Sequence, residues 1–271
     1  MQMLANFPQN FSASRPVVLT LGGLDPGGGA GIAADILAIQ ANGAHAAPLI
    51  TALTVQDTER AYAFTPVAPT LLDTQARILA RSLTITWVKA GMLASVPIVH
   101  WLQGWLAETG LPLLLDPVLQ AGGGGNLSNP DMLPALQALL PAVALLTPNG
   151  VEARQLAGVA PQTDLTTCAQ VLYAQGAQQI LITGGHETDT HTVSNRFYQQ
   201  GHLVWEHTWP RLPGEFHGSG CTFAASLAAY LARCYPCLEA LQHASAYTQQ
   251  TLMQAYRIGP GQQIPRRHLS C

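Results

Sequence analysis

The sequence predicts an α/β fold in three layers, with helices on both faces of a mostly parallel sheet. Two observations predict it. Short β-branched or aliphatic runs alternate with longer amphipathic ones, which is the order of βαβ units, and no repeat, linker or low-complexity stretch separates two halves. One domain over residues 1–271, with 1–15 as a loose N-terminal extension, is the simplest organisation. Hydrophobic residues make up 48% and charged residues 10%, enough apolar material for a large core.

A buried strand is expected at 17–21, then a glycine-rich loop at 22–31 and a helix running to 41, which Gly43 stops. Aliphatic runs place further strands at 48–55, 87–90, 113–115, 143–146 and 179–183. Amphipathic stretches between them give helices at 71–82, 98–108, 131–140, 151–157 and 166–175. From Asn195 the pattern changes: 195–198 and 203–209 flank the polar turn Gln199-Gln200-Gly201 as an antiparallel hairpin does. Helices at 220–233 and 238–257 close the chain.

Charge and composition exclude several partners. The net charge of −3 comes without a block of like charges, so neither a nucleic-acid backbone nor an anionic membrane finds a matching surface. No run approaches the roughly 18 apolar residues of a membrane span. The first residues carry Asn, Gln and Pro where a leader needs an apolar core. The five cysteines, Cys168, Cys221, Cys234, Cys237 and Cys271, are an odd number without a disulfide framework. A reduced, cytoplasmic setting fits all of this. Lys89 is the only lysine, so a phosphate site must rest on backbone amides, a metal and a few of the arginines, such as Arg77, Arg154, Arg196 and Arg211.

In such sheets ligands bind outside the carboxyl ends of the strands, and the loops there carry the unusual sequences. Gly22-Gly23-Leu24-Asp25-Pro26-Gly27-Gly28-Gly29-Ala30-Gly31 has three open readings. It is a variant dinucleotide loop in the register Gly29-x-Gly31-x-x-Ala34, a plain turn, or a loop that brings backbone close to a small substrate. The first lacks an acidic residue ending a second strand, and the sequence favours the last. A P-loop is excluded, because Lys89 has no Gly-x-x-x-x-Gly before it.

Gly218-Ser219-Gly220-Cys221-Thr222 leads straight into an apolar helix. Unpaired amides and the positive dipole end of a first turn bind anions, and such a pocket stabilises a phosphoryl group in transfer. Cys221 at that end is expected to have a lowered pKa and to help deprotonate an attacking alcohol. The plainer reading is that the glycines cap the helix and Cys221 fills space. A Gly-x-Ser-x-Gly elbow is not met, since His217 and Cys221 flank Ser219. A thiol hydrolase using Cys221 with His217 would rest on adjacency alone.

Asp116 ends one strand, and Asn149 and Glu152 follow another. Hard oxygen ligands at two strand ends suit Mg²⁺ beside nucleotide phosphates, although Asn149 alone reads as a helix cap and Asp116 as a turn residue. Cys234-Tyr235-Pro236-Cys237 lacks a second pair or paired histidines, which leaves a metal or redox role only a minor reading. His186 is of interest for following Gly184-Gly185, and His217 as a residue that orients the anion loop.

The chain resembles the hydroxymethylpyrimidine and phosphomethylpyrimidine kinases of thiamine biosynthesis, within the ribokinase-like superfamily. The resemblance runs from Val17 to about Gly261. It is carried by Asp25-Pro-Gly-Gly-Gly-Ala-Gly-Ile32 with Asp35, Ile50-Thr-Ala-Leu-Thr-Val-Gln-Asp-Thr58, Lys89-Ala-Gly-Met-Leu93, Asp116-Pro-Val118, Thr147-Pro-Asn149 with Glu152, and His217-Gly-Ser-Gly-Cys-Thr222.

The resemblance implies a ribokinase-like α/β/α domain, a homodimer, and ATP with Mg²⁺. It puts Gly23, Ala30, Asp35, Gln56, Met92 and Val118 around a pyrimidine, with Gln56 or Asp35 reading its amino and nitrogen edge. Asp116 and Glu152 would serve the metal, and Asn149, Thr183 and Gly185 would lie on the nucleotide side. Gly218, Ser219 and Gly220 would form the anion hole, with Cys221 where wider relatives carry an aspartate base. Ser219 replaces the family's usual threonine, while Gly122 and Thr183 stand where lysines are common. The activity implied is phosphorylation of 4-amino-5-hydroxymethyl-2-methylpyrimidine and then of its monophosphate. A pyridoxal or pyridoxine kinase, and a pyrimidine-binding module weakened by the missing lysines, are the alternatives.

Overall fold

A computed structural model describes residues 15–119, 131–185, 187 and 191–268. The loop at 120–126, with Gly122, and His186 lie outside the described residues. In chain order the elements are β1 (Val17–Leu24), α1 (Gly31–Ala41), β2 (His45–Gln56), β3 (Ala61–Pro66), α2 (Pro69–Ser82), β4 (Ile85–Ala90), α3 (Val96–Thr109) and β5 (Leu113–Leu115). Then follow α4 (Met132–Leu139), β6 (Val143–Leu146), α5 (Gly150–Ala157), α6 (Leu165–Ala174), β7 (Gln179–Ile182), β8 (Thr192–Gln199), β9 (His202–Pro210), α7 (Ser219–Ala232) and α8 (Cys237–Met253).

The strands form one nine-stranded sheet in the order β3-β2-β1-β4-β5-β6-β7-β8-β9. Pairings from β2 through β7 are parallel, and β3, β8 and β9 are antiparallel additions at the two edges. The α/β class and mostly parallel sheet expected from the sequence are therefore present. The expected strand list lacked β3. That strand lies at an edge with most of its side chains exposed, so it shows no buried alternation to read. The last helix stops at Met253 rather than 257, and the chain then crosses back in an extended tail in which Tyr256 pairs with Ile264.

Alternation along β1 assigns the two faces. Val17, Leu19 and Leu21 join a core with residues of α2 to α6, while Val18 joins α1, α7 and α8 on the other side. Leu19 and Leu21 are wholly buried, each contributing about 1.5–3 kcal/mol by burial. Thr20 and Lys89 are register partners on the α1–α7 face and form a polar spot in it. The order reverses at β1, which has β2 on one side and β4 on the other. The crevice outside the carboxyl ends of β1 and β4 is thus the switch point at which such sheets bind ligands.

Candidate active site

The loop after β1 is organised by Asp25. Its carboxylate accepts hydrogen bonds from the backbone amides of Gly27 at 2.8 Å and of Gly29 and Ala30 at 2.9 Å, and lies 2.9 Å from His217 Nε2. Burial alone would raise its pKa. Hydrogen bonds from His217, Gln56 and the Gly27 amide outweigh burial and bring it down to about 2. Gly31 then opens α1 at φ +57°, where a Cβ would run into the carbonyl of Gly23. Only glycine lets the helix begin this close to β1.

Across the crevice Gly218 caps α7 at φ +78°, and the helix starts at Ser219, one residue earlier than expected. A Cβ on Gly218 would meet the carbonyl of Gly29 and lie 2.9 Å from the Ala30 Cα, so the two glycine loops are in backbone contact. Gly220 is exposed and Ser219 half-buried, which leaves the first-turn amides facing the crevice end of the sheet. His217, which the sequence suggests as an orienting residue for this loop, is bonded to Asp25 of the facing loop.

Beneath this junction Lys89 Nζ sits 2.9 Å from both oxygens of Asp35, and Thr20 donates to Asp35 Oδ2 at 2.6 Å. Asp35 is fully buried and both its oxygens are engaged. The expectation that it reads a pyrimidine edge is corrected: it supports the floor of the site as the partner of Lys89. The expectation of a thiolate at Cys221 is also corrected. Burial pushes the thiol up to about 11; the nearby Lys89 charge works against that rise, and Asp116 and Asp35 add to it. The thiol is protonated at neutral pH in this arrangement.

Gly23 packs against Met92 and Thr54, since a Cβ there would lie 3.1 Å from Met92 Sδ and 3.5 Å from Thr54 Cγ2. Gln56, the last residue of β2, hydrogen-bonds the Asp25 carboxylate, and Ala30 is the N-cap of α1. Val118 follows Asp116 beyond β5 and is half-buried.

Asp116 and Glu152 are both buried. Burial raises Asp116 to about 6, with Lys89 opposing and Asp35 reinforcing the shift, and burial together with the Asp116 charge raises Glu152 to about 8. Two buried carboxylates, one of which raises the proton affinity of the other, are a fitting pair for a divalent cation, which removes that repulsion. Asn149 caps α5 in a reciprocal box, its Oδ1 accepting from the Glu152 amide at 3.0 Å while Glu152 Oε2 accepts from the Asn149 amide at 2.9 Å. The plain cap reading of Asn149 is therefore realised. A bridge joins Asn149 to Thr183, and Arg211 Nη1 donates to the Gly185 carbonyl at 2.9 Å. Asn149 and Thr183 thus meet at the ends of β6 and β7, and Gly185 lies two residues beyond Thr183. Arg154 is tied there to Glu187 by two hydrogen bonds, at 2.9 and 3.1 Å.

The family model described as phosphomethylpyrimidine kinase matches residues 25–266, which contain every element from α1 to the tail. The chain belongs to this family. A hydroxymethylpyrimidine/phosphomethylpyrimidine kinase of Rhizobium meliloti is 32% identical over 91% of this chain and 94% of its own length. The thiamine biosynthesis bifunctional protein ThiED of Geobacter sulfurreducens is 33% identical over 91% of this chain, which spans 51% of that longer protein. Among solved structures, the pyridoxal kinase of Staphylococcus aureus in complex with AMP-PCP and pyridoxal superposes with a TM-score of 0.84, at 26% identity and 94% coverage of both chains.

For a phosphomethylpyrimidine kinase family member, the sequence had located the two glycine loops and the two carboxylates. Three contributors escaped it. Asp25 and Lys89 stand in motifs of the resemblance with no role attached to them, and Arg267 lies past it. Arg267 is buried and bonds both glycine loops. No spacing rule signals such a residue, because its partners, two main-chain carbonyls and the Thr222 hydroxyl, are far away in sequence.

Proposed function

We propose that this chain transfers the γ-phosphoryl group of ATP to the hydroxymethyl oxygen of 4-amino-5-hydroxymethyl-2-methylpyrimidine, and then a second phosphoryl group to the monophosphate, in thiamine biosynthesis. The observation that carries the proposal is the contact between the β1–α1 loop and the start of α7, latched by His217 Nε2 on Asp25 Oδ2 at 2.9 Å. It puts a loop open to a small flat substrate beside helix amides suited to a phosphoryl group.

The pyrimidine lies between Gly23, Ala30, Gln56, Met92 and Val118, with Gln56, oriented by its hydrogen bond to Asp25, at its polar edge. ATP reaches in from the ends of β6 and β7, near Asn149, Thr183 and Gly185. Gly218, Ser219 and Gly220 direct amides at the group in transfer, where developing charge is stabilised by donors already in place. Asp116 and Glu152 would hold Mg²⁺, which supplies charge neutralisation on the phosphate oxygens. Cys221 is a thiol and can take up the hydroxyl proton only as it gives up its own, so its part is to relay a proton toward the phosphoryl oxygens, not to act as a ready base. The proposal includes a single domain, on the strength of the continuous sheet. It also includes a cytoplasmic setting, suited to free cysteines, and a homodimer, on the family resemblance.

The likeness to a pyridoxal-bound kinase favours a second reading, a vitamin B6 kinase, because that substrate also presents a hydroxymethyl group on a flat ring. One experiment separates the two. The purified chain is incubated with Mg-ATP and either the pyrimidine or pyridoxine, and products are resolved by mass. Pyrimidine diphosphate is the expected product. Monophosphate alone removes the second step, and phosphorylation of pyridoxine only replaces the proposal with the second reading.

A further inference from the structure

Arg267 stands one residue past the stretch that the family model matches and is only 2% exposed. Its Nη2 donates to the carbonyl of Gly29 at 2.6 Å and to that of Gly218 at 3.3 Å, and its Nε donates to Thr222 Oγ1 at 2.9 Å. Thr222 Oγ1 in turn donates to the Gly218 carbonyl at 2.7 Å. One planar guanidinium thus holds the β1–α1 loop and the first turn of α7 at a fixed separation. The tail that carries it is anchored separately, by the Tyr247 hydroxyl donating to the Arg267 carbonyl at 2.9 Å.

Among the described residues Arg267 forms no ion pair. A buried cation without a carboxylate costs several kcal/mol, and carbonyl partners return only part of that. Two other cations near the site are committed, Lys89 to Asp35 and Arg154 to Glu187. Arg267 is therefore the positive charge behind the Gly218–Gly220 turn that no carboxylate in contact neutralises. Lysine cannot replace it, because an ammonium lacks the flat fork that reaches partners on both loops.

We infer that Arg267 is a positioning residue for phosphoryl transfer: it fixes the gap between the substrate loop and the anion-binding helix start, and holds a positive charge behind the latter. The inference rests on the kinase reading. It is tested with full-length Arg267→Lys, Arg267→Met and Tyr247→Phe, using hydrogen exchange of the 25–31 and 218–222 segments alongside steady-state kinetics.

Both Arg267 variants are expected to speed exchange in the two segments together and to lower kcat about 100-fold, the scale of losing a preorganised electrostatic contact, with KM for the pyrimidine within about threefold. Tyr247→Phe, which loosens the tail without touching the guanidinium, is expected to keep kcat and both exchange rates. Wild-type kcat in the Arg267 variants, or faster exchange in one segment only, overturns the inference. If Arg267→Met does not fold, Arg267→Lys decides on the same readouts. A wild-type chain that phosphorylates neither compound ends the kinase reading and the catalytic part of the inference, while the exchange data still decide whether Arg267 joins the loops.

Discussion

Lys89 Nζ lies 2.9 Å from both carboxylate oxygens of Asp35, and neither side chain reaches solvent. Burial works against the ammonium, but the charge and hydrogen bond of Asp35, together with the Cys221 and Asp116 charges, outweigh it and the pKa of Lys89 is raised. Because β4 and α1 meet through this pair, it fixes the floor beneath both glycine loops. Replacing Lys89 by Met leaves a buried carboxylate without its cation. Urea unfolding is expected to show a loss of roughly 3–5 kcal/mol. Adding Asp35→Leu should recover most of it, since a matched apolar pair carries no stranded charge. A single variant as stable as wild type would show that the pair adds nothing.

Gly218 has φ +78°, and a Cβ there would press on the Gly29 carbonyl and stand 2.8 Å from Arg267 Nη2. Gly218→Ala is therefore expected to cost about 1–3 kcal/mol through backbone strain and to lower turnover, with Gly220→Ala milder in stability because nothing lies within 4 Å of its Cβ position. Thermal melts and kinetics of the two variants compare strain with loss of space in the crevice.

The pH dependence of stability has a definite sign at Asp25. Its folded pKa is about 2, below the ordinary 3.8, so the stabilisation is present above about pH 4 and is lost as pH falls through about 2. Denaturant titrations of wild type and Asp25→Asn should converge as the pH drops across that window. Curves that stay parallel would mean that Asp25 makes no such contribution.

Cys221 is expected to resist alkylation at neutral pH, its thiol raised to about 11, while the exposed Cys234 reacts first. Peptide mapping after a short iodoacetamide pulse gives the order. Cys221→Ala is expected to depress turnover far more than substrate binding; unchanged turnover would remove the thiol from the mechanism.

Glu152→Gln keeps the shape of the Asn149 capping box but removes the carboxyl that would ionise toward a cation held beside Asp116. The Mg²⁺ concentration for half-maximal activity is expected to rise about 10-fold or more. An unchanged requirement would leave Glu152 a cap alone.

The legible parts of this protein were those written locally. Val17 to Leu21 reads as a strand because four apolar residues and a threonine sit between breakers, and the glycines of 22–31 and 218–220 can be read as loops at helix starts wherever the fold puts them. The edge strand β3 was not legible, since its pairing with β2 comes from the sheet and not from a buried pattern of its own. Asp35 and Cys221 had been given roles by position in a motif. Burial then changed both, by committing Asp35 to Lys89 and by raising the Cys221 thiol.

By itself, then, the sequence determined the α/β order of elements, the two glycine-rich turns, and the carboxylates at the ends of β5 and β6. Each of these follows from periodicity, backbone freedom or residue type within a short window. Only the tertiary structure decided which charges are paired and which backbone groups converge. His217 meets Asp25, Lys89 meets Asp35, and Arg267 reaches Gly29 and Gly218 because strands and helices far apart in the chain share one end of one sheet. Desolvation and Coulomb attraction act through space, so protonation states and loop spacing at this site come from packing, which no local stretch of sequence encodes.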